Sequence, residues 1–255
     1  MKNILTKKRR NIVAFIPARQ GSKRIKNKNI IKLSSHPLIA HTIIAAKKSK
    51  IFNKIVVSTD SKKYAKIARY YGADVNGLRP KKFSNSFSPD YQWVKYELNF
   101  LQKKGFFFTH FFILRPTNPF RSSKTIIKSW RLFLKNKKAD SLRAVEITKY
   151  HPGKMWIKKK QYIVPLIKGK INKQPYYNLQ FTSLPKIFIQ NASLEISKTQ
   201  VVNKYNTITG KKIIPFFTKK NEGFDINYPE DIIKAKFLIN KNKAVLESIK
   251  KNPFK

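Results

Sequence analysis

The stretch Ile12-Val-Ala-Phe-Ile-Pro-Ala-Arg-Gln-Gly-Ser-Lys-Arg-Ile-Lys-Asn-Lys-Asn29 joins an apolar pentapeptide directly to a basic loop. Ile12 to Ile16 are apolar and partly β-branched, the composition of a buried strand. Pro17 lacks the N–H that a central ladder needs and ends the strand. Gly21 admits backbone angles that other residues resist, and Arg19, Lys23, Arg24, Lys26 and Lys28 surround it with positive charge. A buried strand running into such a loop presents backbone N–H and cationic groups to phosphates. In so lysine-rich a chain the same residues also suit a solvated surface loop, so the partners of the loop decide between the two.

A chain of 255 residues can bury a sizeable core, as one α/β domain or as a domain plus a lobe. Without cysteine it has no disulfide, no thiolate zinc site and no Cys nucleophile, and its four His show no paired metal-ligand spacing. A net charge of +44 suits a polyanion-binding protein. Yet the charge is 46 Lys and 10 Arg spread over the whole length, and Lys, Asn and Ile are enriched together, which fits an AT-rich coding bias better. The most apolar run, Phe106 to Leu114, is nine residues, far short of the roughly 20 of a spanning helix. No membrane partner is expected. Behind Lys7-Lys8-Arg9-Arg10 the apolar run closes at Pro17, too early for a signal peptide, and a cytoplasmic protein is expected.

Along the chain, Pro37 followed by Leu38, Ile39, Thr42, Ile43 and Ala46 at three- and four-residue spacing predicts a helix over 37–48. Lys54 to Asp60 reads as a second buried strand, with Asp60 as the N-cap of a helix over 61–71. A short third strand is expected over 73–76. The Ser- and Pro-rich stretch 78–90 reads as a loop leading into a helix over 89–103. Phe106–Leu114 is a predicted strand, Arg115-Pro-Thr-Asn-Pro-Phe-Arg121 a rigid turn, 123–135 a helix and 140–147 a strand. This alternation predicts an α/β fold, a three-layer, doubly wound and mostly parallel sheet. From about 150 to 186 the alternation lapses, as expected of a lobe inserted into one domain. Strand-like runs return at 187–196 and 211–217, and a final helix follows Gly223-Phe-Asp-Ile-Asn-Tyr-Pro-Glu-Asp231.

Ligands of open parallel sheets sit beyond the carboxyl ends of the strands, where the loops 17–29, 78–90, 115–121 and 223–229 gather. Their cations, set against the carboxylate of Asp225, suit a triphosphate with a divalent metal. Asp225 would hold Mg²⁺ and the Arg and Lys side chains the phosphate oxygens. The loop matches neither the Walker A pattern nor Gly-x-Gly-x-x-Gly. The residues by themselves define a nucleotide-binding α/β enzyme and no more.

Ile16-Pro-Ala-Arg-Gln-Gly-Ser-Lys23 with Lys28-Asn29, Val57-Ser-Thr-Asp60, Arg79-Pro80, Arg115-Pro-Thr-Asn-Pro-Phe-Arg121 and Asp225-Ile-Asn227 occur in an order that resembles the acylneuraminate cytidylyltransferases. The resemblance runs from residue 12 to about 240. It implies a nucleotide-diphospho-sugar transferase-like fold and transfer of CMP from CTP to a sialic-acid-like nonulosonic acid, with release of pyrophosphate. It also implies a Mg²⁺-dependent homodimer in which the lobe serves as a dimerisation arm. Carried onto matching positions, Ala18, Arg19, Ser22, Lys23, Lys28, Asn29, Arg79, Asp90 and Arg115 would bind the nucleotide. Arg19 and Lys28 would be the catalytic pair that stabilises charge at the α-phosphate. Asp225 and Asn227 would be the metal positions.

The departures fall mostly in the sugar half. Arg115 and Asn118 stand where the family has Gln and Ser, and Asn227 stands where it has a second Asp. Phe181-Thr-Ser-Leu-Pro185 replaces Arg-Gln-x-Leu-Pro. Asn191-Ala-Ser-Leu-Glu195 replaces Asn-Gly-Ala-Ile-Tyr. An acidic sugar would then be held by Arg115, Arg121 or a nearby Lys, with Gln190 and Asn191 beside it. The alternatives are a related nucleotidyltransferase using another sugar or nucleotide, and a basic nucleic-acid-binding protein. The latter lacks a basic stripe on one helix and any aromatic-plus-Arg RNA motif, so nucleic acid is not the expected partner.

Overall fold

The computed structural model describes residues 11–85 and 87–254; the basic cluster Lys7–Arg10 lies outside them. One sheet is built from β1 (Ile12–Pro17), β2 (Lys54–Ser58), β3 (His110–Ile113), β4 (Ser141–Ile147), β5 (Phe188–Lys198) and β6 (Ile213–Phe217). Its strand order is β6-β4-β5-β3-β1-β2. Helices α1 (Leu38–Ser49), α2 (Lys62–Tyr70), α3 (Asp90–Lys103), α4 (Ser123–Lys135), α5 (Thr199–Tyr205) and α6 (Pro229–Asn240) accompany it.

Strand β1 pairs in parallel with β2 on one side and β3 on the other. Its side chains alternate between two cores, as the period of two requires. Ile12, Ala14 and Ile16 pack with Ile39 and Ile43 of α1, Ile67 of α2 and Trp130 of α4. Val13 and Phe15 pack with Trp93, Val94 and Leu101 of α3 and with Val202 of α5. Helices thus cover both faces, and the strand reads as an unbroken apolar run. A third cluster ties Leu33, Leu38 and Phe120 to Ile226 and to Ala235 and Leu238 of α6. It draws the 223–229 loop toward the turn after β3, where the Ile226 N–H donates to the Thr117 carbonyl (2.9 Å).

Several expectations shift. The third strand over 73–76 reduces to isolated bridges, Val56 with Asp74 and Thr59 with Leu78. The strand expected over 106–114 is shorter, because Phe106 and Phe107 are exposed (44% and 64%) and carry no ladder. Strand β5 runs antiparallel to β3. Asp60 is not the cap of α2. Ser61 is, its side chain accepting the Tyr64 N–H.

Contacts divide the chain into two units, one up to Ala144 and from Asn191 onward, the other Val145–Gln190. The stretch 150–186 falls inside the second. That unit holds a hairpin of Trp156–Lys159 with Tyr162–Pro165 and a shorter pair, Lys170–Ile171 with Gln174–Pro175. The shorter pair turns through Asn172 and Lys173, both left-handed (φ 49° and 66°), the geometry of a tight two-residue hairpin. The ring of Tyr176 presses on Gly153 and Gly169, where an added Cβ would sit 2.9 and 2.1 Å from it.

Arg121, fully buried, locks the first unit internally. Its guanidinium donates to the Ser193 carbonyl, to the Arg115 carbonyl (3.2 Å) and to Thr42 Oγ1 (2.9 Å), joining α1, the 115–121 turn and β5. Burial lowers its pKa to about 9. Arg121→Ala should lower the unfolding free energy by about 3 kcal/mol, since it leaves a cavity and unpaired carbonyls. Urea denaturation measures this, and a loss under about 1 kcal/mol would remove Arg121 from the role.

Candidate active site

A cavity of about 340 Å³ opens where the loops after β1 and β3 meet the 78–90 and 223–229 segments. Of the residues singled out from the sequence, it gathers Arg19, Ser22, Lys28, Asn29, Arg79, Asp90, Arg115, Asp225 and Asn227. The others lie elsewhere. The Ala18 N–H is used by the sheet, donating to the Ser58 carbonyl (2.9 Å). Lys23 is exposed and does not line the cavity. Arg121 is committed to the interior contacts above. Asn191 donates to Thr218 Oγ1 (2.8 Å) and does not line the cavity. Gln190 belongs to the Val145–Gln190 unit and is exposed.

The basic loop is held from two sides. The Asp60 carboxylate accepts the Gln20 N–H (2.8 Å), and Asn29 Nδ2 donates to the Arg19 carbonyl (3.0 Å). Gly21 does not supply the special geometry expected of it. Its φ lies outside the left-handed region and an added Cβ would meet nothing within 4 Å. The left-handed residue is Asn27 (φ 56°), whose side chain accepts from the Tyr64 hydroxyl (3.1 Å). Among the described residues, Arg19 Nη1 reaches only the Ser84 carbonyl (3.4 Å). Lys28 Nζ donates to the Ile226 carbonyl (2.9 Å) and Asn227 Oδ1 (3.2 Å). Burial lowers the Lys28 pKa, an effect that nearby Asp225 opposes.

Asp225 faces this cationic side. Its Oδ2 accepts from Asn227 Nδ2 (2.6 Å), whereas its Oδ1 is buried without a hydrogen-bond partner among the described residues. That orphaned oxygen is what a cation would satisfy. No group of three His, Cys, Asp or Glu gathers among the described residues. A Mg²⁺ site that borrows substrate phosphates needs only one or two carboxylates, so the residues fit that metal. Asn227 meanwhile turns its oxygen to Lys28.

The wall opposite is a chain of alternating charges that sequence reasoning only half found. Arg79 is buried against Ser58, donating from Nε to Oγ (3.0 Å) and from Nη2 to the carbonyl (2.6 Å), with its guanidinium over the Trp93 ring. Burial lowers its pKa to about 10. Trp93 Nε1 donates to Asp90 (2.8 Å). Arg115 donates to Asp90 (2.5 Å) and to Glu195 (2.9 Å), and Arg143 pairs with Glu195 on its other oxygen. Glu195 and Arg143 were missed as site residues. A signal was present: a carboxylate and a guanidinium inside strands that otherwise read as buried must be paired.

The α/β sheet and a matching family pattern together place the chain among the α/β nucleotidyltransferases. A family pattern described as Cytidylyltransferase matches residues 13–152, more than half of the chain, and the chain belongs to that family. It is similar to the N-acylneuraminate cytidylyltransferase of Escherichia coli O18:K1:H7 (strain RS218 / NMEC), 41% identical over 125 residues, which are 49% of this chain and 29% of that protein. It is also similar to post-translational flagellin modification protein B of Campylobacter coli, 32% identical over 234 residues, 89% of this chain and 94% of that protein. The match thus spans under a third of the first relative's length and nearly all of the second's. The fold is that of CMP:2-keto-3-deoxy-manno-octonic acid synthetase, solved in complex with CTP, with a TM-score of 0.65 at 11% identity over 91% of this chain and 99% of that one.

Burial pushes the Asp90 carboxyl up, but Arg115 and the hydrogen bonds from Trp93 and Arg115 outweigh it and hold the group below its ordinary value. A depressed acid contributes stability that is present above the unfolded pKa and lost as pH falls through the folded one. Asp90→Asn should therefore flatten the acid limb of a melting-temperature profile below about pH 4. An unaltered acid limb would contradict the pairing.

Proposed function

We propose that this chain moves CMP from CTP to the anomeric hydroxyl of a sialic-acid-like nonulosonic acid and releases pyrophosphate. The observation that carries the reading is the meeting of Arg19, Lys28 and Asp225 in one cavity of a cytidylyltransferase-family chain. The sugar oxygen bonds to the α-phosphorus, the bond from that phosphorus to the β-phosphate bridging oxygen breaks, and the hydroxyl proton leaves to solvent. Arg19 and Lys28 form no ion pair among the described residues, so their charge is available to the phosphates. Held by backbone and amide contacts, they are preorganised for the charge that grows as pyrophosphate departs. Ser22 offers a hydroxyl to the phosphates, while Arg79 and Asp90 form the nucleotide wall. Mg²⁺, held by Asp225 with Asn227 beside it, would neutralise triphosphate charge when bound.

The Val145–Gln190 unit exposes Tyr150, Trp156, Ile157, Tyr162 and Ile163, apolar area that supports a homodimer built through this arm. Analytical ultracentrifugation would show a dimer, and a monomer at all concentrations would refute it. No helix among the described residues is long and apolar enough to cross a membrane.

Pyrophosphate release with CTP, Mg²⁺ and a panel of nonulosonic and Kdo-type acids tests the reading. No release with any sugar would sink it. Arg19→Ala should lower turnover by about 10²-fold, the scale for loss of one transition-state donor. Asp225→Asn should raise the Mg²⁺ concentration needed for half-maximal rate, and an unmoved metal titration would refute the assignment.

A further inference from the structure

We infer that Arg115 and Glu195 form a specificity pair in which Arg115 donates to an uncharged oxygen of the sugar, a hydroxyl or an N-acyl carbonyl, and not to its carboxylate. The inference rests on the sugar-acid reading above. Both contacts of the Arg115 side chain, to Asp90 Oδ2 and to Glu195 Oε1, come from one nitrogen, Nη2. Nε and Nη1 make no hydrogen bond among the described residues, and the side chain lines the cavity about a third exposed (30%). Its backbone is fixed from behind, the Arg115 carbonyl accepting from Arg121 and from Thr42 Oγ1. The guanidinium is therefore held through one nitrogen, with two nitrogens, Nε and Nη1, left over.

Charge decides what those donors take. Asp90, Arg115, Glu195 and Arg143 alternate in sign and sum to zero. A third carboxylate brought to Arg115 would meet two already within hydrogen-bond distance, and like charges at such range repel strongly. A neutral oxygen meets no such repulsion and still gains a charged donor. Arg19 and Lys28, on the phosphate side, make no ion pair among the described residues. The structure joins Arg115 and Glu195 in one ion pair across 80 residues of chain. Arg115 is the reading group. Glu195 is a positioning residue that acts through it.

The test measures CTP-dependent pyrophosphate release by wild type, Arg115→Gln and Glu195→Gln with three probes: the full sugar acid, analogues lacking one hydroxyl or N-acyl group, and an analogue with the carboxyl reduced to an alcohol. Arg115→Gln should raise the KM for the full sugar about 10-fold or more, the scale of a hydrogen bond from a charged group, with kcat changed far less. That penalty should shrink to about twofold for the analogue missing the oxygen that Arg115 reads, and persist for the carboxyl-reduced one. Glu195→Gln should raise the sugar KM severalfold while the KM for CTP stays put, a split that a general loss of structure would not produce. If Arg115→Gln does not fold, Arg115→Lys is read the same way, since it keeps the charge and loses the fork. With a wild type that turns over, a penalty that vanishes only with the carboxyl-reduced analogue, or an Arg115→Gln whose sugar KM is unmoved, overturns the inference alone. No release by wild type with any sugar acid overturns the functional reading and the inference with it.

Discussion

Burial of the first strand on both faces is the constraint on which the structure depends. Ile12 to Ile16 are at most 4% exposed, and each side chain is committed to one of two cores. A slip of one residue would send Val13 and Phe15 to the wrong layer and strip both cores at once. The strand is equally fixed edgewise, in register with β2 and β3. Its carboxyl end is therefore a rigid point, and Arg19 and Lys28 are positioned from there.

In a chain of +44 the lysines say little and the carboxylates say a great deal. Several of the 12 acids hold backbone N–H groups at turns and helix starts. Asp60 holds Gln20, Asp140 holds Lys211 and Lys212, Asp231 holds Asn227 and Tyr228, and Glu247 holds Ser123. Asp90 and Glu195 instead clamp Arg115. Scarce negative charge is placed where geometry must be held, and Arg19 and Lys28 are left without a carboxylate partner among the described residues. That contrast separates the cavity from a merely basic surface.

Where local signals suffice, the reading from residues was close. Helix α4 begins and ends where its apolar spacing predicts, because Ser122 caps it and the pattern stops at Lys135. The strand ending at Ile113 was overextended because apolarity cannot tell Phe111, in a core, from Phe107, in solvent. Asp60 and Ser61 are both good caps, and only the exit of β2 decides which faces the helix and which faces the loop. Arg121 resembled a ligand-binding cation. Its three acceptors lie on segments 42, 115 and 193, so no local pattern could reveal that it is an interior strut.

By itself the sequence determined the buried parallel strand, the alternation that builds the sheet, and the set of loops that carry cations and the carboxylate of Asp225. These follow from apolar periodicity and turn chemistry, which act over a few residues. Tertiary structure alone decided which charges are cancelled. Arg115 meets Asp90 and Glu195 across 25 and 80 residues, and Lys28 meets Asn227 across 199. Electrostatic pairing depends on distance in space, and a chain this rich in lysine offers far more possible pairs than the fold permits.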